Sequence, residues 1–184
     1  MFVASQKRKE NIAEYLLYMW QIEDIIRAAG LDMERIRHSV IDPAPLDDAQ
    51  KRQLAEWYES LIDMMRREGV ERSGHLQLNR NVLSQLATLH DRLLRDPRFA
   101  EYAKRFYAAL PHIVELRGKA GDTPKGEIET CFNALYGMLM LRLQGKELSP
   151  ATAEAMKHIS DFIALLSHYY KLDEQDELFK DSQD

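Results

Sequence analysis

The sequence predicts an all-α protein: one bundle of six main helices, mostly antiparallel, built around a hydrophobic fifth helix. Three observations predict it. Apolar residues recur at helical spacing along most of the chain, and strand-like alternation is absent. Three segments open with a cap residue followed by proline (Asp96-Pro97, Thr123-Pro124, Ser149-Pro150), a specific signal for a helix start. The 184 residues are 45% hydrophobic and 30% charged, enough apolar surface for one buried core and too much for disorder.

The elements follow in order. Ile12, Met19 and Ile26 repeat at seven, as do Tyr15, Ile22 and Ala29, so the spacing predicts a first helix over residues 6–29 ended by Gly30. A short helix is expected over 31–40, before Asp42-Pro43-Ala44-Pro45 forces an extended connection. Asp47 caps a second helix over 48–68, with Gln50 in the capping-box position and Gly69 as the stop. Leucines from Leu76 to Leu94 mark a third helix over 74–95. Asp96-Pro97 opens a fourth, which Pro111 is expected to kink. Gly118–Gly121 reads as a loop. A fifth helix spans 124–145 and a sixth 150–170. The fifth differs from the others: from Ile128 to Leu143 apolar side chains cover nearly its whole circumference, which places it at the centre of the bundle or against a partner subunit.

No repeat or long linker divides the chain, so residues 1–170 read as one helical domain and 171–184 as an acidic tail, in which Leu178-Phe179 is expected to fray. The tail holds six acids and two lysines, and so most of the net charge of −5. Residues 66–105 carry nine bases against five acids, too weak a bias to favour a nucleic-acid partner. The single cysteine, Cys131, excludes an internal disulfide, and its apolar surroundings on the helical wheel make it an inert small hydrophobe. The charged Gln6-Lys7-Arg8-Lys9-Glu10 precedes an amphipathic helix and gives no sign of a signal peptide. The longest apolar run, Ala134–Leu141, falls well short of the roughly 20 residues of a membrane span. No membrane association and a cytoplasmic location are expected.

Four polar residues stand in apolar stripes: Glu23 in the first helix, Asn79 and His90 in the third, Arg142 in the fifth. A carboxylate removed from water requires a partner. Arg142 is one choice, with Asn79 and His90 completing an interhelical network or lining a ligand pocket. The alternative is local: Glu23 pairs with Arg27 four residues on, and Arg142 reaches solvent from its helix end.

Cofactor and metal motifs are not found. There is no P-loop, G-x-G-x-x-G, H-E-x-x-H or G-x-S-x-G, and no Glu-x-x-His pair of the di-iron bundles. His158 and Asp161 share a helix face but need further ligands to hold a metal. Arg105 and His112, six residues apart on one face, resemble the Arg-x(4–6)-His element of helical ribonuclease domains. Phe106 stands where that family carries a polar residue, and Pro111 interrupts the helix.

The opening Gln6-Lys7-Arg8-Lys9-Glu10-Asn11-Ile12-Ala13-Glu14-Tyr15-Leu16-Leu17-Tyr18-Met19-Trp20-Gln21-Ile22-Glu23-Asp24 resembles the start of a domain-of-unknown-function family of about 180-residue bacterial proteins, common in the Bacteroides group. That resemblance implies an all-helical cytoplasmic protein without assigned activity and carries over no site residues. Three functional expectations follow. The leading one is a non-enzymatic interaction or scaffold protein, acting as a homodimer or on another protein, because the first and fifth helices hold surplus apolar surface. The second is a small-ligand binder using Glu23, Asn79, His90 and Arg142. The third is a ribonuclease-like or RNA-binding domain using Arg105 and His112.

Overall fold

The computed structural model describes residues 2–119 and 125–179. These are helical with no strand, and they form eight α-helices rather than six: α1 (Phe2–Glu10), α2 (Ile12–Ala28), α3 (Met33–Ile36), α4 (Asp48–Arg67), α5 (Gln77–Arg95), α6 (Ala100–Lys119), α7 (Glu127–Leu143) and α8 (Pro150–Glu174). A π-helical turn follows α3 (Arg37–Ile41), and a 3-10 turn precedes α6 (Pro97–Phe99).

Both additional helices arise from local capping. The predicted first helix breaks at Asn11, which is extended (φ −153°, ψ 106°) while its side chain accepts hydrogen bonds from the Ala13 and Glu14 N–H groups. Ser167 of α8 donates to the same Asn11 oxygen (2.7 Å) and so fixes the break against the body of the protein. The segment expected as one short helix over 31–40 is α3, capped by Asp32, and then the π turn.

The other starts and stops follow the sequence closely. Asp47 and Gln50 form both halves of the capping box of α4. Asp96 caps the Pro97 turn, and Ser149 caps α8 ahead of Pro150. The third predicted helix starts three residues late, because Gly74 takes a left-handed conformation (φ +86°) and Leu76 is extended. α6 runs through Pro111. Thr123-Pro124, expected to open the fifth predicted helix, and the end of the expected 118–121 loop lie outside the described residues, while Gly118 belongs to α6. The sixth predicted helix extends one turn further, to Glu174.

The core is one cluster, dominated by aromatic contacts between α5, α6 and α8. The Phe162 ring meets Tyr102 (5.5 Å between centroids), Phe106 (5.4 Å) and His90 (5.6 Å). Contacts of α6 with α8 descend along α8 as they ascend along α6 (Phe99 to Tyr169, Arg105 to Asp161, His112 to His158), so these helices are antiparallel. α5 packs against the second half of α8: Gln85 meets Tyr170, His90 meets Phe162 and Arg92 meets Asp173. Beyond α8, the Phe179 ring packs edge-on to Phe99 under the Arg92 guanidinium (4.0 Å), where fraying was expected. Residues 180–184 of the expected tail lie outside the described residues.

The fifth predicted helix is central over half its length only. α7 touches α2, α5, α6 and α8, and its first half buries Ile128, Cys131, Phe132 and Leu135. From Tyr136 onward no residue of α7 is buried, and Leu143 is 66% exposed. Over this second half the circumferential apolar pattern is only partly covered by the described residues.

Candidate functional site

The most unusual chemistry lies where α2 meets the start of α5. α5 begins at Leu76 without a side-chain cap from its own segment and without an acid in its first turn. Its first N–H groups and positive dipole end are instead met by carboxylates from other helices. Glu23 of α2, 0% exposed, accepts the Leu76 N–H (2.9 Å) and the Asn79 side-chain N–H (2.7 Å) on Oε1. Glu68, just past α4, accepts the Gln77 N–H (2.5 Å). Glu23 is thus a helix cap supplied in trans, which explains how a buried carboxylate is tolerated.

The second oxygen of Glu23 contacts His75 Nδ1 at 2.6 Å. The His75 ring lies flat on Trp20 one helical turn before Glu23, with centroids 4.0 Å apart and planes 10° from parallel. Arg27 completes the frame. Its guanidinium donates to the Val70 and Gly74 carbonyls and to Asp24 (2.8 Å), and stands 4.0 Å from Glu23. Tyr136 of α7 donates to Asp24 (2.6 Å), so α2, α5, α7 and the 70–76 connection are joined through six polar side chains, Glu23, Asp24, Arg27, His75, Asn79 and Tyr136.

The structure brings together Glu23 and Asn79 and separates the other two residues expected with them. Arg142 is exposed at the end of α7, where its long side chain reaches water, and it is not the partner of Glu23. His90 is buried in a second centre three turns along α5, where its Nδ1 meets the Tyr102 hydroxyl at 2.7 Å among Phe106 and Phe162. Burial holds the His90 pKa below the usual histidine range, against the opposing pull of Asp91 and Glu127. The local expectation for Glu23 was also incomplete: Arg27 is near, but the short contacts come from His75, Leu76 and Asn79. Sequence reasoning missed His75. The signal was a histidine and a glycine directly before a helix whose start carries no Ser, Thr, Asp or Asn cap.

Arg105 and His112 occupy the α6–α8 seam. Arg105 is held by Glu101 (3.1 Å) and Asp161 (3.6 Å), and the His112 ring stacks on His158 (5.4 Å, 18°). The arginine expected to contact RNA is neutralised by two carboxylates. Cys131 is buried, and burial pushes its thiol up to about 12, so it stays protonated and unreactive.

A groove of about 590 Å³ runs between α5 and the start of α7, with His75 at its α2 side and His90 farther along. No helix among the described residues is long and apolar enough to cross a membrane. Comparison with curated proteins and with solved structures returns no match. One family model matches residues 1–177, nearly the whole described chain, and the protein belongs to that family, a domain of unknown function (DUF4924).

Proposed function

We propose that the protein is a non-enzymatic helical interaction protein that works as a homodimer, two copies meeting through the outward face of α7. The observation that carries this reading is Gly137. It lies mid-helix, exposed, and apart from its own helix no atom of the described residues lies within 4 Å of where a Cβ would stand. A glycine there costs about 0.5–1 kcal/mol of helix stability relative to alanine, and nothing among the described residues requires it. Close approach of a second backbone would.

The surroundings agree. At about 100° per residue, Ala134, Met140 and Leu141 lie within roughly 60° of Gly137, opposite the buried Ile128 and Leu135. Past Gly137 this face is apolar and only half-buried, through Met140 and Leu141, whereas toward the start of the helix it carries Asn133. The occupant is a second copy because the helix is self-complementary in polarity: Glu127 and Glu129, held within the chain by Arg117 and Lys125 (3.2 Å each), lie in its first turn and Arg142 in its last. A two-fold antiparallel pair sets the basic end of each α7 toward the acidic end of the other and opposes their dipoles.

Sedimentation equilibrium at 10–100 μM tests the reading. The wild type is expected at twice the 21.4 kDa chain mass. Gly137→Arg is expected at the chain mass with unchanged helicity, because the new side chain has open space in the single copy. A monomeric wild type over that range refutes it.

A further inference from the structure

The groove between α5 and the start of α7 lies about two to three helical turns before Gly137 and carries chemistry of its own. Its floor is apolar, made by Leu83, Ala87 and Ile128. Its lining sets three carboxylates, Asp91, Glu127 and Glu129, against two cations, Arg80 and Lys125. Glu23, with Oε1 already taking two N–H donors, also takes His75 Nδ1–H on its second oxygen. The other ring nitrogen of His75 has no hydrogen-bond partner among the described residues. Stacking on Trp20 holds this ring in place.

At the far end His90 lines the groove although it is only 4% exposed. Its Nδ1 is engaged by Tyr102, and its Nε2 has no partner among the described residues. Two carboxylates act on that ring, Asp91 and Glu127, and Glu127 is already paired with Arg117 (3.2 Å). Asp91 has no ion-pair or hydrogen-bond partner among the described residues. The two cations of the lining are already engaged, Lys125 by Glu129 (3.2 Å) and Arg80 by Gln77 (2.7 Å), with Glu68 at 3.9 Å.

We infer that this groove binds a small organic cation, an amine or guanidine whose charged head sits by Asp91 and whose apolar body lies on Leu83, Ala87 and Ile128. An unfilled buried imidazole, an unpaired carboxylate and an apolar floor in one groove are the required parts. A bare metal ion fits less well. Among the described residues no three histidine, cysteine or acidic groups stand close enough to share one, whereas an extended cation spans them.

The test follows the histidine ring signals of the full chain by NMR at pH 7 while benzylamine, benzyl alcohol or benzoate is added. The three probes share a ring and differ in charge. Benzylamine is expected to move the His75 and His90 signals saturably and to leave His38, His112, His158 and His168 in place. The alcohol and benzoate are expected to move none. Asp91→Asn, a change at an exposed residue, is expected to weaken benzylamine binding roughly fivefold. The inference is overturned if no probe shifts the two rings, if benzyl alcohol or benzoate shifts them as strongly, or if Asp91→Asn binds benzylamine as the wild type does. None of these outcomes depends on whether two copies associate through Gly137.

Discussion

Replacing Glu23 by alanine removes one side chain and leaves three donors behind. The Leu76 N–H, the Asn79 amide and His75 Nδ1 all lose the acceptor that now satisfies them at 2.6–2.9 Å. Each unsatisfied buried donor costs about 1–3 kcal/mol, and His75, being only partly buried, recovers some of this from water. Losing one partner of a buried charged network costs about 3–5 kcal/mol. We take about 4 kcal/mol, which lowers the melting temperature of a chain this long by roughly 10 °C. Glu23→Gln keeps an acceptor for Leu76 but turns a second donor toward His75 or Asn79, so about half that loss is expected. Urea denaturation followed by circular dichroism measures both. A double-mutant cycle with Asn79→Ala separates the contact from the cavity, with an expected coupling of about 1–2 kcal/mol. A loss under about 1 kcal/mol for Glu23→Ala would refute the view that this carboxylate caps α5 from α2.

Further outcomes follow from other contacts. The folded-state pKa of His90 is depressed by burial, so the unfolded chain binds the proton more tightly. Stability is expected to be fully present above the ordinary histidine pKa of about 6.5 and to fall below it, by at most about 1.4 kcal/mol per pH unit; His90→Phe should flatten the urea midpoint over pH 7.5 to 5.5. Cys131 should resist alkylation in the native state and react fully once urea unfolds the chain, because its thiol is buried and protonated. Phe179→Ala should cost about 1 kcal/mol and speed amide exchange in the last turn of α8, since the ring packs on Phe99 and under Arg92. Phe162→Ala removes the ring shared by α5, α6 and α8 and should cost about 3–5 kcal/mol.

What the sequence made legible was mostly local. Helical spacing, the Asp47–Gln50 box and the Asp96-Pro97 and Ser149-Pro150 starts are written in neighbouring residues, and the structure follows them. The break at Asn11 was also within reach, since Asn11 followed by Glu14 is a cap and N3 pair. It was hidden because the apolar repeat continues on both sides. The partners of Glu23 were not legible. They come from 52 to 56 residues away, and one of them is a backbone N–H that no side-chain pattern reveals. Arg142 looked like a partner because the wheel of α7 is apolar all round. A wheel does not show where along its length a helix leaves the core, and α7 leaves it before Arg142.

The tautomer of His75 bears on the site as a whole. In ¹⁵N-labelled protein at pH 7, long-range proton–nitrogen correlations distinguish a protonated ring nitrogen from a bare one. The geometry of Glu23, Trp20 and His75 predicts a protonated, slowly exchanging Nδ1, and Glu23→Gln should abolish that protection. A His75 protonated only at Nε2, or exchanging as fast as the exposed His168, would mean that Glu23 does not hold the ring and that the groove is not built as described.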